Sequence, residues 1–312
     1  MHFLLKALVQ NYVAALPRPL GQPLYYQLQR RLGALRRVDH SKHLRRAAEI
    51  AQVLRQHRLP LHRDFLEIGT GWLLGTALGL WLAGARHITT VDLHRYVRPE
   101  LVRELLAYLL THENEVAGLF PWVPATELRE KCRQLGGCHS LTNVLAVAPI
   151  RYLAPADATR LPPALTGAFD YHYSTNVLEH VPPAMLAGLL REARRVLRPA
   201  GHLVHFVDLS DHFSHDDSRL SATHFLRYGP QTWAALAGNR LMYQNRLRYP
   251  QYAAAFAAAG WRISWERRTM NPDSLARLRA GQEPLHPDFQ NFSSEELATT
   301  FWVVLAEAAP RS

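Results

Sequence analysis

Residues 64–92, D-F-L-E-I-G-T-G-W-L-L-G-T-A-L-G-L-W-L-A-G-A-R-H-I-T-T-V-D, constrain the fold more tightly than any other stretch of this chain. They read as a strand, a glycine-rich turn, a helix and a second strand ending in an acid, the unit that holds an adenosine-containing cofactor. An apolar strand over Phe65–Ile68 carries Glu67, and Gly69 and Gly71 follow in a turn where a side chain would keep a ligand out. Leu73 to Leu82 is predicted helical and the β-branched run Ile88–Val91 a strand, so Asp92 falls at its carboxyl end. A carboxylate there can accept both hydroxyls of a ribose.

A tight strand-to-helix turn needs glycine for steric reasons alone, so the glycines leave a ligand-free turn open. The neighbouring residues narrow the choice. A pyrophosphate site keeps a third glycine, whereas position 73 is Leu and the acid Glu67 precedes the turn. A carboxylate beside the turn repels pyrophosphate but suits a cofactor with a positively charged amino acid tail, such as S-adenosylmethionine.

Four further stretches follow in order: V-D-L at Val91–Leu93, A-D-A-T at Ala156–Thr159, F-D-Y-H-Y-S-T-N-V-L-E-H-V at Phe169–Val181 and R-V-L-R-P-A-G-H-L at Arg195–Leu203. With E-I-G-T-G at Glu67–Gly71, they make residues 64–208 resemble the class I S-adenosylmethionine-dependent methyltransferases, in the small-molecule branch that includes methyltransferase types 11 and 12. The resemblance implies an α/β fold: a Rossmann-like, seven-stranded, mostly parallel sheet with an antiparallel last strand and helices on both faces. It also implies S-adenosylmethionine as cofactor, with Glu67, Gly69, Thr70, Gly71, Asp92, Leu93, Asp157, Ala158 and Asn176 around it. The departures from the family pattern are Leu73, where many members have a third glycine, and the bulky Trp72 before it.

Around this unit the chain divides into a helical N-terminal cap or lid over 1–39, broken by prolines at 17–23, and the sheet domain over 40–312. Helices are expected at 42–57, 99–110, 183–197 and 249–259. Further strands are expected at 150–153, 169–173, 201–208, 261–267 and 299–306. Residues 111–149 and 209–248 exceed what crossovers need and read as insertions, the second dense in His, Asp, Tyr and Asn. Residues 1–16 are apolar but interrupted by Lys6, Gln10 and Asn11, which suits an amphipathic helix better than a secretion signal. Cys132 and Cys138, the two cysteines, lack metal-site spacing, which favours free thiols and a reducing cytoplasm.

Of a formal net charge of +10, nearly all lies in residues 1–60, where nine Arg and two Lys face only Asp39 and Glu49. That region reads either as a solvated helical face or as a surface for an anionic partner: a carrier-bound substrate, nucleic acid or a peripheral membrane face.

Ligands of open α/β sheets bind outside the carboxyl ends of the strands. Candidates for catalysis there are His180, which follows Glu179 at the mouth of the fourth strand, with Asp208 and His212 from the next strand end. A packed helix start is the plain alternative for His180, a turn-stabilising acid for Asp157, and a helix cap for Asn176. Asn176 also stands where metal-binding relatives have an acid, so no metal is expected. Tyr25, Tyr26, Asn176, Tyr228, Tyr243 and Asn245 are candidates to hold an acceptor. The expected reaction is methyl transfer to a small molecule or carrier-linked metabolite. A second possibility keeps the cofactor but transfers or cyclises its aminocarboxypropyl arm, releasing methylthioadenosine. RNA methylation is a third, opposed by a fourth-strand motif without the Asn/Asp-Pro-Pro-aromatic cluster that grips a base.

Overall fold

A computed structural model describes residues 2–310. The helices are α1 (Phe3–Ala15), α2 (Arg18–Leu32), α3 (His40–Gln56), α4 (Gly75–Ala83), α5 (Pro99–Thr111), α6 (Glu113–Leu119), α7 (Ala125–Gly136), α8 (Leu141–Val147), α9 (Pro183–Val196), α10 (Pro230–Ala237), α11 (Tyr249–Ala258), α12 (Pro272–Arg279) and α13 (Ser294–Ala298). The strands are β1 (Asp64–Ile68), β2 (His87–Val91), β3 (Ile150–Leu153), β4 (Phe169–Thr175), β5 (Leu197–Asp208), β6 (Trp261–Met270) and β7 (Thr299–Ala308). They form one seven-stranded sheet in the order β3-β2-β1-β4-β5-β7-β6, with β7 antiparallel to both neighbours and the other pairings parallel. This is the Rossmann-like architecture that the resemblance implies. No helix of the described residues is long and apolar enough to cross a membrane.

Strand alternation divides the core between the two faces of the sheet. Phe65, Tyr171, Tyr173 and Phe206 pack on one side with α3, α4 and α5, while Leu66, Ile68, Leu203 and Trp302 pack on the other with α9 and α11. Register then decides what surrounds Glu67, which pairs with Thr90 of β2 and Tyr173 of β4. All three point to the same face, where water is excluded.

Among the element ends that differ from the sequence reading, two have a clear local cause. β5 begins at Leu197, four residues before the expected Gly201, because Pro199 forces Arg198 out of helical geometry and α9 runs straight into extended chain. α4 begins at Gly75 because Leu74 has a left-handed φ of 59° and ends the turn late. That shift moves the role of the third glycine. A β-carbon on Gly75 would lie 2.6 Å from His43 Cβ, and one on Gly79 would lie 2.5 Å from Ala47 Cβ, so these two glycines let α4 close against α3.

Residues 111–149 are helical, as α6, α7 and α8. The segment 209–248 is mostly irregular, with α10 its one helix of eight residues. Phe3 and Ala7 of α1 share a third apolar cluster with Phe213, Phe225, Trp233 and Met242. Polar contacts join the same parts: Asn11 Nδ2 donates to Ala235 O at 2.9 Å, and Asn239 Nδ2 to Asn11 Oδ1 at 2.8 Å. The N-terminal arm and the second insertion therefore form one roof over the strand ends. Cys132 and Cys138 are free, and burial pushes the Cys132 thiol up to about 11.

Candidate functional site

Beneath that roof is a cavity of about 680 Å³ at the carboxyl ends of β1, β2 and β4. A smaller hollow of about 130 Å³ shares Gly69, Asp92, Leu93, Val177 and His180 with it and continues toward Ala156–Thr159. Its floor is the glycine turn. Gly69 has φ +83° and donates to Val91 O at 2.8 Å, and a β-carbon on it would lie 2.4 Å from Val177 Cγ2. Gly71 has φ +67°, and a β-carbon there would meet no protein atom within 4 Å. One glycine admits the neighbouring strand end; the other faces the open cavity.

Thr90 Oγ1 donates to Glu67 Oε2 at 2.6 Å and lies 2.7 Å from Thr70 Oγ1, which is therefore the donor to Thr90. Glu67 is only 3% exposed, and desolvation pushes its carboxyl up to about 8. Asp92 accepts from Gly71 N and His94 N, both at 3.2 Å, and burial raises its pKa as well. Leu93 beside it is exposed at 56%. Asn176 has φ 56° and its backbone N–H donates to Phe206 O at 2.8 Å. Its side-chain oxygen is buried with no partner. It caps no helix: the short 3₁₀ turn that follows has Val177 at its N-cap. Asp157 is exposed and accepts from Thr159 N at 2.8 Å and Thr159 Oγ1 at 2.7 Å, holding its own turn as Ala158 and it line the smaller hollow.

His180 lines both cavities, and its Nδ1 lies 2.6 Å from Tyr243 O. A carbonyl only accepts, so Nδ1 carries the proton and Nε2 keeps a lone pair. Desolvation lowers its pKa, leaving a neutral ring. Asp208 and His212 stand behind it and do not line the cavity. His212 lies 5.1 Å from the His180 ring, centroid to centroid, with its Nε2 3.7 Å from Asp208 Oδ2 and without a hydrogen bond. Asp208 Oδ1 accepts from Ser210 N at 2.9 Å and Ser210 Oγ at 2.5 Å. Glu179 is 1% exposed and both its carboxyl oxygens are unpartnered. Burial, and then Asp208, hold its pKa well above the usual range. Glu179, His180 and His212 bring ligand-capable atoms within 4.8 Å of one another.

Of the residues expected to hold an acceptor, Tyr25, Asn176 and Tyr243 line the cavity. The others do not. Tyr26 stacks on Trp72 at 5.3 Å and donates to Glu100 Oε1 at 2.6 Å, inside the packing of α2. Tyr228 lies in the third apolar cluster, its hydroxyl 3.4 Å from His224 Nε2. Asn245 is buried, donates to Leu178 O and Val181 O at 2.9 Å, and accepts from the Tyr252 hydroxyl at 2.9 Å. It fixes the turn that carries Glu179 and His180. Sequence reasoning missed Arg37, Lys42, His43, His94, Tyr96, Arg240 and Leu241, all on the cavity wall. Their one signal was the basic N-terminal region, part of whose charge turns inward. Trp72, the departure from the family pattern, stands between Tyr26 and Tyr96 and ties the arm to the glycine turn.

The sequence model of a family described as a methyltransferase domain matches residues 124–205. No curated protein sequence matches the chain. Among solved structures, a 1,6-didemethyltoxoflavin-N1-methyltransferase of Burkholderia thailandensis, bound to 1,6-didemethyltoxoflavin and S-adenosylhomocysteine, is similar at 16% identity and a TM-score of 0.46, over 95% of this chain and 92% of that one. A methyltransferase of Methanosarcina mazei is 14% identical over 83% of this chain and 98% of its own, with a TM-score of 0.45. One from Mesorhizobium loti is 19% identical over 83% and 97%, with a TM-score of 0.41.

Proposed function

We propose that this chain is a class I S-adenosylmethionine-dependent methyltransferase and that it methylates a small or carrier-linked acceptor held beneath the roof formed by its N-terminal arm and second insertion. When bound, the cofactor supplies a methyl carbon made electrophilic by a sulfonium. The residues fit it. Asp92 offers its carboxylate to the ribose, and the open side of Gly71 leaves room for the chain that joins ribose to tail. Glu67 and the unpartnered Asn176 oxygen suit an ammonium group. His180, neutral and with Nε2 unprotonated, is placed to take a proton from an acceptor oxygen or nitrogen. Most of the remaining work is holding two reactants in line and excluding water.

The observation that carries this reading is that one cavity joins an acid-lined cofactor floor to a neutral histidine. To test it, the purified chain is incubated with S-adenosylmethionine and a cell extract, and the nucleoside products are measured by mass spectrometry. S-adenosylhomocysteine should accumulate. Methylthioadenosine in its place would assign the enzyme to aminocarboxypropyl transfer.

Glu67 gives a second expectation. With a pKa of about 8 it is protonated at pH 7 in the free protein, and an ammonium beside it favours the carboxylate. Binding S-adenosylhomocysteine at pH 7 should therefore release close to one proton, and affinity should rise with pH by up to about tenfold per unit until it levels near pH 8. Calorimetry in buffers of different ionisation enthalpy reads the proton directly. Glu67→Gln should abolish the release; a wild-type protein that releases none has no ammonium at Glu67.

A further inference from the structure

We propose that the acceptor is an organic anion, a carboxylate or phosphate on a flat or apolar body, and that Arg37, Lys42 and Arg240 bind its charged end. The inference rests on the reading of this cavity as a methyl-acceptor site and names the chemistry of what enters it. Three acids, Glu67, Asp92 and Asp39, and three strongly basic residues, Arg37, Lys42 and Arg240, line the cavity, and Glu67 and Asp92 belong to the cofactor floor. The third of these acids, Asp39, is already committed: it accepts from Lys42 N at 3.0 Å and Ser41 Oγ at 2.5 Å, and pairs with Arg45 at 2.9 Å. None of the three cations forms an ion pair with a described acid.

These cations come from three separate places in the chain. Arg37 lies in the link between α2 and α3, Lys42 in the first turn of α3, and Arg240 in the second insertion. Arg240 is held in place, since its Nη2 donates to Leu16 O at 2.5 Å in the α1–α2 turn. A β-carbon on Gly21 would lie 2.9 Å from that nitrogen, so α2 has a glycine where the guanidinium passes. The remaining guanidinium donors keep the planar fork that suits carboxylate and phosphate oxygens.

Electrostatics then selects the ligand. A bound cofactor's sulfonium and ammonium face the acids of the floor, Glu67 and Asp92, and so leave Arg37, Lys42 and Arg240 on the same wall without a protein counter-charge. A neutral acceptor leaves those cations unpaired; an anionic one pairs with them in the cavity that holds the methyl donor. The rest of the wall supplies the body's partner. Trp72 and Tyr96 stand with ring centroids 4.9 Å apart, and Tyr25 and Tyr243 line the same cavity. Aromatic faces with cations at one end fit an aromatic or extended apolar group that ends in negative charge.

The test uses the full chain saturated with S-adenosylhomocysteine and three probes that share one ring system: 2-naphthoate, 2-naphthyl phosphate and the neutral 2-naphthamide. By calorimetry, at least one anion should bind about tenfold or more tighter than the amide, the scale of one hydrogen bond to a charged group. Which anion binds better tells a carboxylate acceptor from a phosphorylated one. Arg37→Gln with Lys42→Gln and Arg240→Gln should remove the preference and leave the affinity for S-adenosylhomocysteine unchanged. If Arg240→Gln loosens the roof and lowers the melting temperature, the Arg37→Gln, Lys42→Gln pair alone decides. Equal binding of amide and anions, or a preference that survives the substitutions, overturns the proposal. Loss of S-adenosylhomocysteine binding by the wild type would instead overturn the methyltransferase reading beneath it.

Discussion

Asp92→Ala should weaken binding of S-adenosylhomocysteine by about a hundredfold or more while the protein stays folded. The carboxylate is assigned two ribose hydroxyls, and a hydrogen bond to a charged group contributes roughly 1.5–3 kcal/mol, so losing both removes about 3 kcal/mol or more. Its contacts within the protein, with Gly71 N and His94 N at 3.2 Å, are long and lie in a partly open turn, so truncation should cost the fold little. Asp92→Asn keeps one acceptor and should fall between the two. Titration calorimetry with all three proteins checks this order. An Asp92→Ala protein that binds as tightly as the wild type would show that the ribose is held elsewhere.

His180→Asn should reduce turnover by about 10²- to 10⁴-fold with little change in cofactor affinity, the range expected when a general base is removed. Asparagine is chosen because its side-chain amide can still donate to Tyr243 O, which His180 Nδ1 reaches at 2.6 Å, so the roof keeps that tie. The wild-type rate should rise with pH through an inflection below the ordinary histidine value and then stay level, because desolvation favours the neutral ring. In His180→Asn that inflection should vanish. Turnover within about threefold of wild type would mean that the acceptor arrives with its lone pair free and His180 only packs.

The strand–turn–strand unit proposed as the cofactor floor was legible in the sequence because strand period, turn chemistry and strand-end placement all act locally. Glu67, Gly69, Gly71 and Asp92 meet within 26 consecutive residues, and the register that sets Thr90 and Tyr173 beside Glu67 follows from parallel pairing. The antiparallel last strand, by contrast, was implied by the family resemblance and not by any local pattern. The acceptor wall could be read from neither. Arg37, Lys42 and Arg240 line one cavity although they lie in distant parts of the chain, and the packing of α1 on the second insertion through Phe3, Phe213 and Trp233 is announced by no periodicity in either segment. Tyr26 and Asn245 mislead in the opposite way: each has a hydroxyl or amide suited to a ligand, yet each is used up inside the fold, by Glu100 and by the carbonyls of Leu178 and Val181. Composition shows which groups can bond, not which bonds the chain has already made.

The roof and the floor of the cavity are encoded by different stretches of chain. The floor comes from residues 67–71, 92–93 and 175–180, whereas the roof comes from residues 25–43 and 240–243. On the proposed reading, changes in the arm or in the second insertion can alter which molecule is accepted without disturbing the donor's seat, whereas the glycine turn serves both halves, because Trp72 beside it also faces the acceptor. The roof residues 25–43 and 240–243 belong to no strand, so most of the roof can change without altering the sheet.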